Sequence, residues 1–179
     1  MTGRIVDAIA ADAGQIKRGQ YHDAWGKDTA DLGEYDYYLR GHDVFMNSNS
    51  KDDNDHAGRI WEEGLAKYPD SSLLKVKLGW YHFRAGWDWW SDDITADFRK
   101  AGEFARTVLA KEDLSPQVKR LAHWLFAKVL ITESDFTRAL NEADMAASLA
   151  PYDASMIGDL ADVRIVSQSI HTIRMRTSI

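Results

Sequence analysis

At 179 residues the chain is long enough for one domain with a sizeable core, and its 45% hydrophobic and 28% charged residues are ordinary for a globular protein. A net charge of −6 gives no global electrostatic reason to bind nucleic acid or an anionic membrane, and the lack of cysteine removes disulfides, thiolate catalysis and cysteine zinc sites together. No run approaches the roughly 20 apolar residues a membrane span needs, and the opening MTGRIVDAIAADAG is interrupted by Asp7 and Asp12, so the expectation is a cytoplasmic chain without signal peptide or direct membrane contact.

In chain order, a lead-in helix is predicted over about 3–24. EYDYYLRG, at 34–41, opens a second helix, and the polar NSNSKDDND reads as a loop after it. Ala57, Trp61 and Gly64 belong to the helix that ends before Pro69. The chain restarts at PDSS and continues through Leu78, Gly79, Trp80 and His82. GWDWWSDD then reads as an enlarged connection, with Trp80 on the helix and Trp87, Trp89 and Trp90 in the insertion. Ala101 and Ala105 mark the next helix, and LSPQ separates it from RLAHWLFAKVLITESDFTRALNEADMAASLAP. After PYDAS, a further helix fits ASMIGDLADVRIVSQ, followed by the basic and apolar tail QSIHTIRMRTSI.

The three prolines, Pro69, Pro116 and Pro151, all fall between helix-like runs. Proline lacks the amide hydrogen a helix interior needs, and each has a capping residue nearby: Asp70 and Ser71, Ser115, or Asp153. Between these stops, apolar residues recur at three- and four-residue intervals, while strand-like alternation is scarce. The class is all-α.

The last segment carries a repeat. Counting back from Pro151, Ala146, Ala143, Ala139 and Phe136 lie five, eight, twelve and fifteen residues upstream, and Ala127, Phe126, Trp124 and His123 lie further back. This order of small and large residues resembles the tetratricopeptide (TPR) pattern, whose period is about 34 residues. Small residues at Ala127, Ala139 and Ala146 would let the two helices of one hairpin approach closely, while large residues fill the gap to the next hairpin. The same ruler fits 34–69 with an excess between its halves, and Arg40 stands where leucine is usual. It fits 72–116 with a longer excess that contains GWDWWSDD. The expected architecture is a single TPR-like domain over 1–179, a right-handed superhelix of antiparallel helix hairpins. Its repeats span about 34–69, 72–116 and 120–153, with a partial repeat over 154–168 before the tail.

EYDYYLRG, the Trp87 of GW followed by SDD at 91–93, and the small-residue hairpin ending in LAP at 149–151 together resemble a narrower group. It is the C-terminal TPR region of bacterial, especially rhizobial, class III adenylate/guanylate cyclase-like proteins and related multidomain regulators. The resemblance covers most of 4–165 and departs from the family after Gln168, where a further hairpin would follow. It implies a regulatory, signalling-related module. A cyclase domain requires metal-binding aspartates on a ferredoxin-like core, and this chain shows no such strands, so the resemblance implies the non-catalytic part.

Candidate chemistry is sparse. Four of the seven tryptophans fall in GWYHFRAGWDWWSDD, beside Asp88, Asp92 and Asp93. Tryptophan faces with a carboxylate pair would suit a sugar subsite, and exposed tryptophans would suit a partner. The plainer expectation is a loop folded back over its hairpin with its tryptophans buried. DDNDHAG faintly resembles a calcium loop, but Gly64 occupies the place where a bidentate glutamate is required, so a solvated loop is expected instead. The six histidines form no HxxxH or HExxH pair, and His82 and His123 fall at packing positions. Phosphate-cradle and hydrolase-elbow motifs are absent. No enzyme, catalytic residue, metal or cofactor is supported.

What remains is the concave face of the array. The repeat register assigns to it Tyr38, His42 and Phe45, then Trp80, Phe83 and Arg84, then Trp124, Lys128 and Ile131. Aromatic anchors with a few charges suit a protein or peptide partner. The alternative is a small-molecule or glycan-binding protein, even an enzyme, centred on Trp87 to Asp93. An array ending on an unpaired helix exposes an apolar face, so the C-terminal end is expected to self-associate or to meet another domain.

Overall fold

A computed structural model describes residues 18–47 and 49–149, together with Ala161, Val163 and Ile165. The lead-in helix before residue 18, the basic tail, and the partial repeat apart from those three helical positions lie outside the described residues. The protein is all-helical, with no strand among the described residues. Helical backbone over 18–26 and a short 3-10 turn, Thr29–Asp31, precede six α-helices. These are α1 (Glu34–Met46), α2 (Lys51–Lys67), α3 (Ser72–Trp87), α4 (Ile94–Leu109), α5 (Pro116–Thr132) and α6 (Phe136–Leu149). No helix among the described residues is long and apolar enough to cross a membrane.

Each helix starts where a short polar side chain meets an otherwise unpaired amide. The Asp36 carboxylate of α1 accepts from the Gly33 amide at 2.9 Å. Ser50 accepts from Asp53 N, Ser71 from Leu74 N, and Asp93 from Ala96 N. Ser115 accepts from Val118 N with Pro116 in the first turn, and Asp135 accepts from Arg138 N. The Ser50 cap corrects one expectation. NSNSKDDND is not loop throughout, because α2 already runs from Lys51. Asp52 and Asp53 in its first turn complement the helix dipole, and Lys51 meets Asp55 one turn on at 2.6 Å. The faint calcium loop is therefore helix.

The described residues form two compact units, one ending at Leu74 and the other starting at Lys75. In the first, α1 and α2 run antiparallel and exchange glycines for rings. A Cβ on Gly41 would lie 2.2 Å from the Trp61 indole nitrogen, and one on Gly64 would lie 2.7 Å from the Tyr37 Cβ. Hydrogen alone fits at either place. Trp61 and Ala57 are completely buried as a result. The loop before α1 is tied down by Lys67, which donates to Ala30 O and Leu32 O, and by the Tyr68 hydroxyl, which donates to Leu32 O.

Asp36 is buried in this unit and bound by Lys27 at 2.7 and 2.8 Å. Burial alone would raise its pKa. The Lys27 hydrogen bond, the Gly33 amide and the charges of Lys27 and Arg40 outweigh it and hold the carboxyl below its ordinary value of 3.8.

In the second unit, α3 pairs with α4 and α5 with α6. Gly79 admits the Leu125 side chain, and Gly86 admits the Phe98 ring. Ala127, Ala139 and Ala146 are completely buried, as are Ala101 and Ala105 of α4. Each of the two hairpins also carries a histidine–carboxylate pair between its helices: His82 Nδ1 with Asp97, and His123 Nδ1 with Glu142 at 2.7 Å. The histidines read as packing residues thus hold helix to helix through a polar contact.

Candidate functional site

The tryptophan-rich stretch resolves into a helix face and its cap. Trp80, Phe83, Arg84 and Trp87 stand at i, i+3, i+4 and i+7, so α3 presents them on one side. α5 presents Trp124 and Lys128 in the same manner. The two stripes meet: the Trp80 and Trp124 rings stand edge to face at 4.8 Å, and the Trp80 indole N–H donates to Leu121 O at 3.3 Å. Phe83 is only 4% exposed and underlies the row, against Trp80 at 5.9 Å, Trp87 at 5.5 Å and Phe98 at 5.6 Å. The Lys128 ammonium lies over the Trp87 ring at 5.6 Å. Arg84 lies over Trp90 at 5.4 Å while its Nε holds Asp88 at 3.2 Å. The Trp124 indole nitrogen is buried and has no hydrogen-bond partner among the described residues.

Trp87 is the last residue of α3, not part of a connection, and it is 52% exposed. The helix then closes with two backbone bonds, Trp90 N to Ala85 O at 2.9 Å and Trp89 N to Gly86 O at 3.4 Å. This is the Schellman arrangement, whose turning residue adopts left-handed backbone and is usually glycine. Here that residue is Trp89, with φ 60°. α5 ends the same way on Ser134, also at φ 60°, with Asp135 N bonded to Leu130 O. A bulky side chain in this region is uncommon and strained. The geometry aims Trp89 outward, 81% exposed. The expectation of a loop folded back with its tryptophans buried is therefore overturned at Trp87 and Trp89, because the connection after the cap is too short to cover them.

Two of the three acids beside the tryptophans, Asp88 and Asp93, have local duties, and Asp92 is exposed. Asp88 pairs with Arg84, and Asp93 caps α4 while its own amide is held by Ser91. Neither is a free carboxylate facing the rings.

Of the nine residues assigned to a concave face, five come together here: Trp80, Phe83, Arg84, Trp124 and Lys128. Phe83 contributes support and no accessible surface, since Trp80, Trp87 and Phe98 enclose it. Ile131 is half-buried, one turn beyond Lys128 on α5. Tyr38, His42 and Phe45 belong to the first unit. Tyr38 is buried, its ring stacked on Tyr35 at 5.3 Å, and the same ring neighbours His42 at 5.3 Å. Phe45 packs on Trp61 at 5.5 Å. Tyr38 is buried in its own unit, where His42 and Phe45 are half-buried. Trp87 and Trp90 were missing from the register, although Trp87 stands seven residues after Trp80 and so continues its stripe.

Comparisons with family models, with curated proteins and with solved structures return no match for this chain.

Proposed function

We propose that the chain is a TPR-like module that binds another protein or peptide and performs no catalysis of its own, as part of a bacterial signalling protein of the cyclase-like kind. The observation that carries this reading is Trp89, a large apolar side chain held in strained backbone and turned toward water beside a half-exposed Trp87. Strain of this kind persists where the fold over-determines it, and it gathers at binding sites. Exposed tryptophan next to cationic groups is the composition of an interface anchor. Arg84 and Lys128 on the ring faces make the surface suited to a segment that combines apolar and acidic residues. The buried alanines and the three successive helix pairs support the repeat reading.

The sugar-binding alternative loses support because Asp88 and Asp93 are spent on Arg84 and on the α4 cap. The test is a displayed library of random peptides selected on the wild-type chain and counter-screened on Trp87→Ala/Trp89→Ala and Lys128→Glu variants. Enriched apolar–acidic peptides that bind the wild type and lose about tenfold or more in affinity on both variants support the proposal. Peptides indifferent to these changes, or a sugar panel that binds through Trp89 while no peptide does, overturn it.

A further inference from the structure

The first unit contains a cavity of about 330 Å³ that has no part in the tryptophan surface. One wall is the stripe His56, Arg59, Ile60 and Glu63 on α2, the other is Trp25 with Arg40 of α1, and Leu32 and Tyr37 close its base. Leu32, Tyr37 and Ile60 are buried, whereas His56, Arg59 and Glu63 are exposed at the rim.

The Trp25 wall is braced in several places. Arg40 Nε donates to Ala24 O at 3.0 Å, and its Nη2 donates to Lys27 O. The same guanidinium lies over the Trp25 ring at 5.1 Å, and the Trp25 indole donates to Asp43 at 3.0 Å. Lys67 and Tyr68 hold Ala30 and Leu32 from the other side. Arg40, which breaks the repeat pattern by replacing a leucine, is thus the group that shapes this wall.

Among the described residues Arg59 has no hydrogen-bond or ion-pair partner, and it does not close onto Glu63 one turn along the same helix. The Arg40 guanidinium is engaged by Ala24 O, Lys27 O and the Asp36 charge, so Arg59 is the guanidinium of the lining left to meet a ligand, with Glu63 beside it on the rim. A guanidinium fork matches an oxyanion by two parallel hydrogen bonds, and Trp25 and Ile60 supply the apolar part of the lining beside it. The volume lies at the small end of ligand pockets, which run from about 300 Å³ upward.

We propose that this cavity binds a small organic oxyanion, a carboxylate or phosphate monoester carried on a flat apolar body, with Arg59 holding the anion and Trp25 and Ile60 holding the body. The proposal is independent of the tryptophan surface and of the partner reading attached to it.

Isothermal titration of the full chain with benzoate, phenyl phosphate and benzylamine tests it. Saturable binding of benzoate or phenyl phosphate, with benzylamine silent, is expected, and the tighter of the two shows which oxyanion the site prefers. Arg59→Gln should weaken that binding by about tenfold or more, and Glu63→Gln should tighten it. Both side chains are exposed and without partners among the described residues, so circular dichroism should show each variant folded. Absence of binding by both anions at millimolar concentration, equal binding of benzylamine, or affinity unchanged in Arg59→Gln would each overturn the proposal.

Discussion

Trp89 provides a direct test of the strained cap. Replacing it by glycine and, separately, by alanine removes the same indole, so whatever that ring contributes cancels between the two variants. With 81% of the residue exposed, the ring's own burial is slight. About a fifth of a surface near ~250 Å² is covered, which at ~25 cal/mol/Å² amounts to about 1 kcal/mol at most. What differs between glycine and alanine is the backbone at φ 60°. A side chain there costs roughly 1–2 kcal/mol, and the greater freedom of glycine in the unfolded chain returns roughly 0.5–1 kcal/mol of that. Trp89→Gly should therefore be more stable than Trp89→Ala by about 0.75 kcal/mol, the difference of the two midpoints, or about 1.5–3 °C in Tm for a chain of this size. Paired urea and thermal unfolding curves followed by far-UV circular dichroism measure it. If alanine equals or exceeds glycine, Trp89 does not occupy left-handed backbone in solution, and the strain argument for the binding surface fails with it.

Three further outcomes follow from the same structure. Ser134→Gly, at the matching cap of α5, should gain up to about 1 kcal/mol in urea unfolding with no effect on peptide or anion binding, since the hydroxymethyl group there is exposed. Gly41→Ala should destabilise the first unit by about 2–3 kcal/mol, because the new methyl meets the completely buried Trp61 ring, and a double-mutant cycle with Trp61→Phe should show coupling between the two sites. The folded-state pKa of Asp36 lies below its ordinary 3.8, so its contribution is complete above pH 3.8 and is lost as pH falls below that value. Urea midpoints of wild type and Asp36→Asn taken down through this range should converge, and parallel curves would show that the Lys27 pair contributes nothing.

The helical class, the punctuation by Ser71 and Ser115, and the burial of Ala127, Ala139 and Ala146 could be read from spacing alone, because capping and close helix approach leave local signatures. The start of α2 could not. A polar first turn such as KDDND carries no apolar periodicity and so resembles a loop, although Ser50 caps it and Asn54 within it is completely buried. Beside three tryptophans the carboxylate of Asp93 admitted a sugar subsite only as an alternative, and in the fold it accepts from the amide of Ala96. At the tryptophan surface the register identified Trp80, Trp124 and Lys128, but it stopped one turn short of Trp87 because the helix was expected to end sooner. The cavity of the first unit left no sequence signal except Arg40. Its walls come from segments some thirty residues apart, and nothing local pairs Trp25 with Arg59.

The ring-for-hydrogen exchange between α1 and α2 constrains how such a hairpin can diverge. Neither Gly41 nor Gly64 can acquire a side chain in one step while an indole or a phenol occupies the space opposite. At Gly41 the permissible route passes through a smaller residue at Trp61 first, which opens a void before the glycine can fill it; at Gly64 the Tyr37 Cβ, 2.7 Å from the new methyl, is kept by every residue but glycine. Descendants of this chain should therefore alter Gly41 and Trp61 as a pair, glycine facing an aromatic or alanine facing something slimmer, and the mixed combinations should be rare.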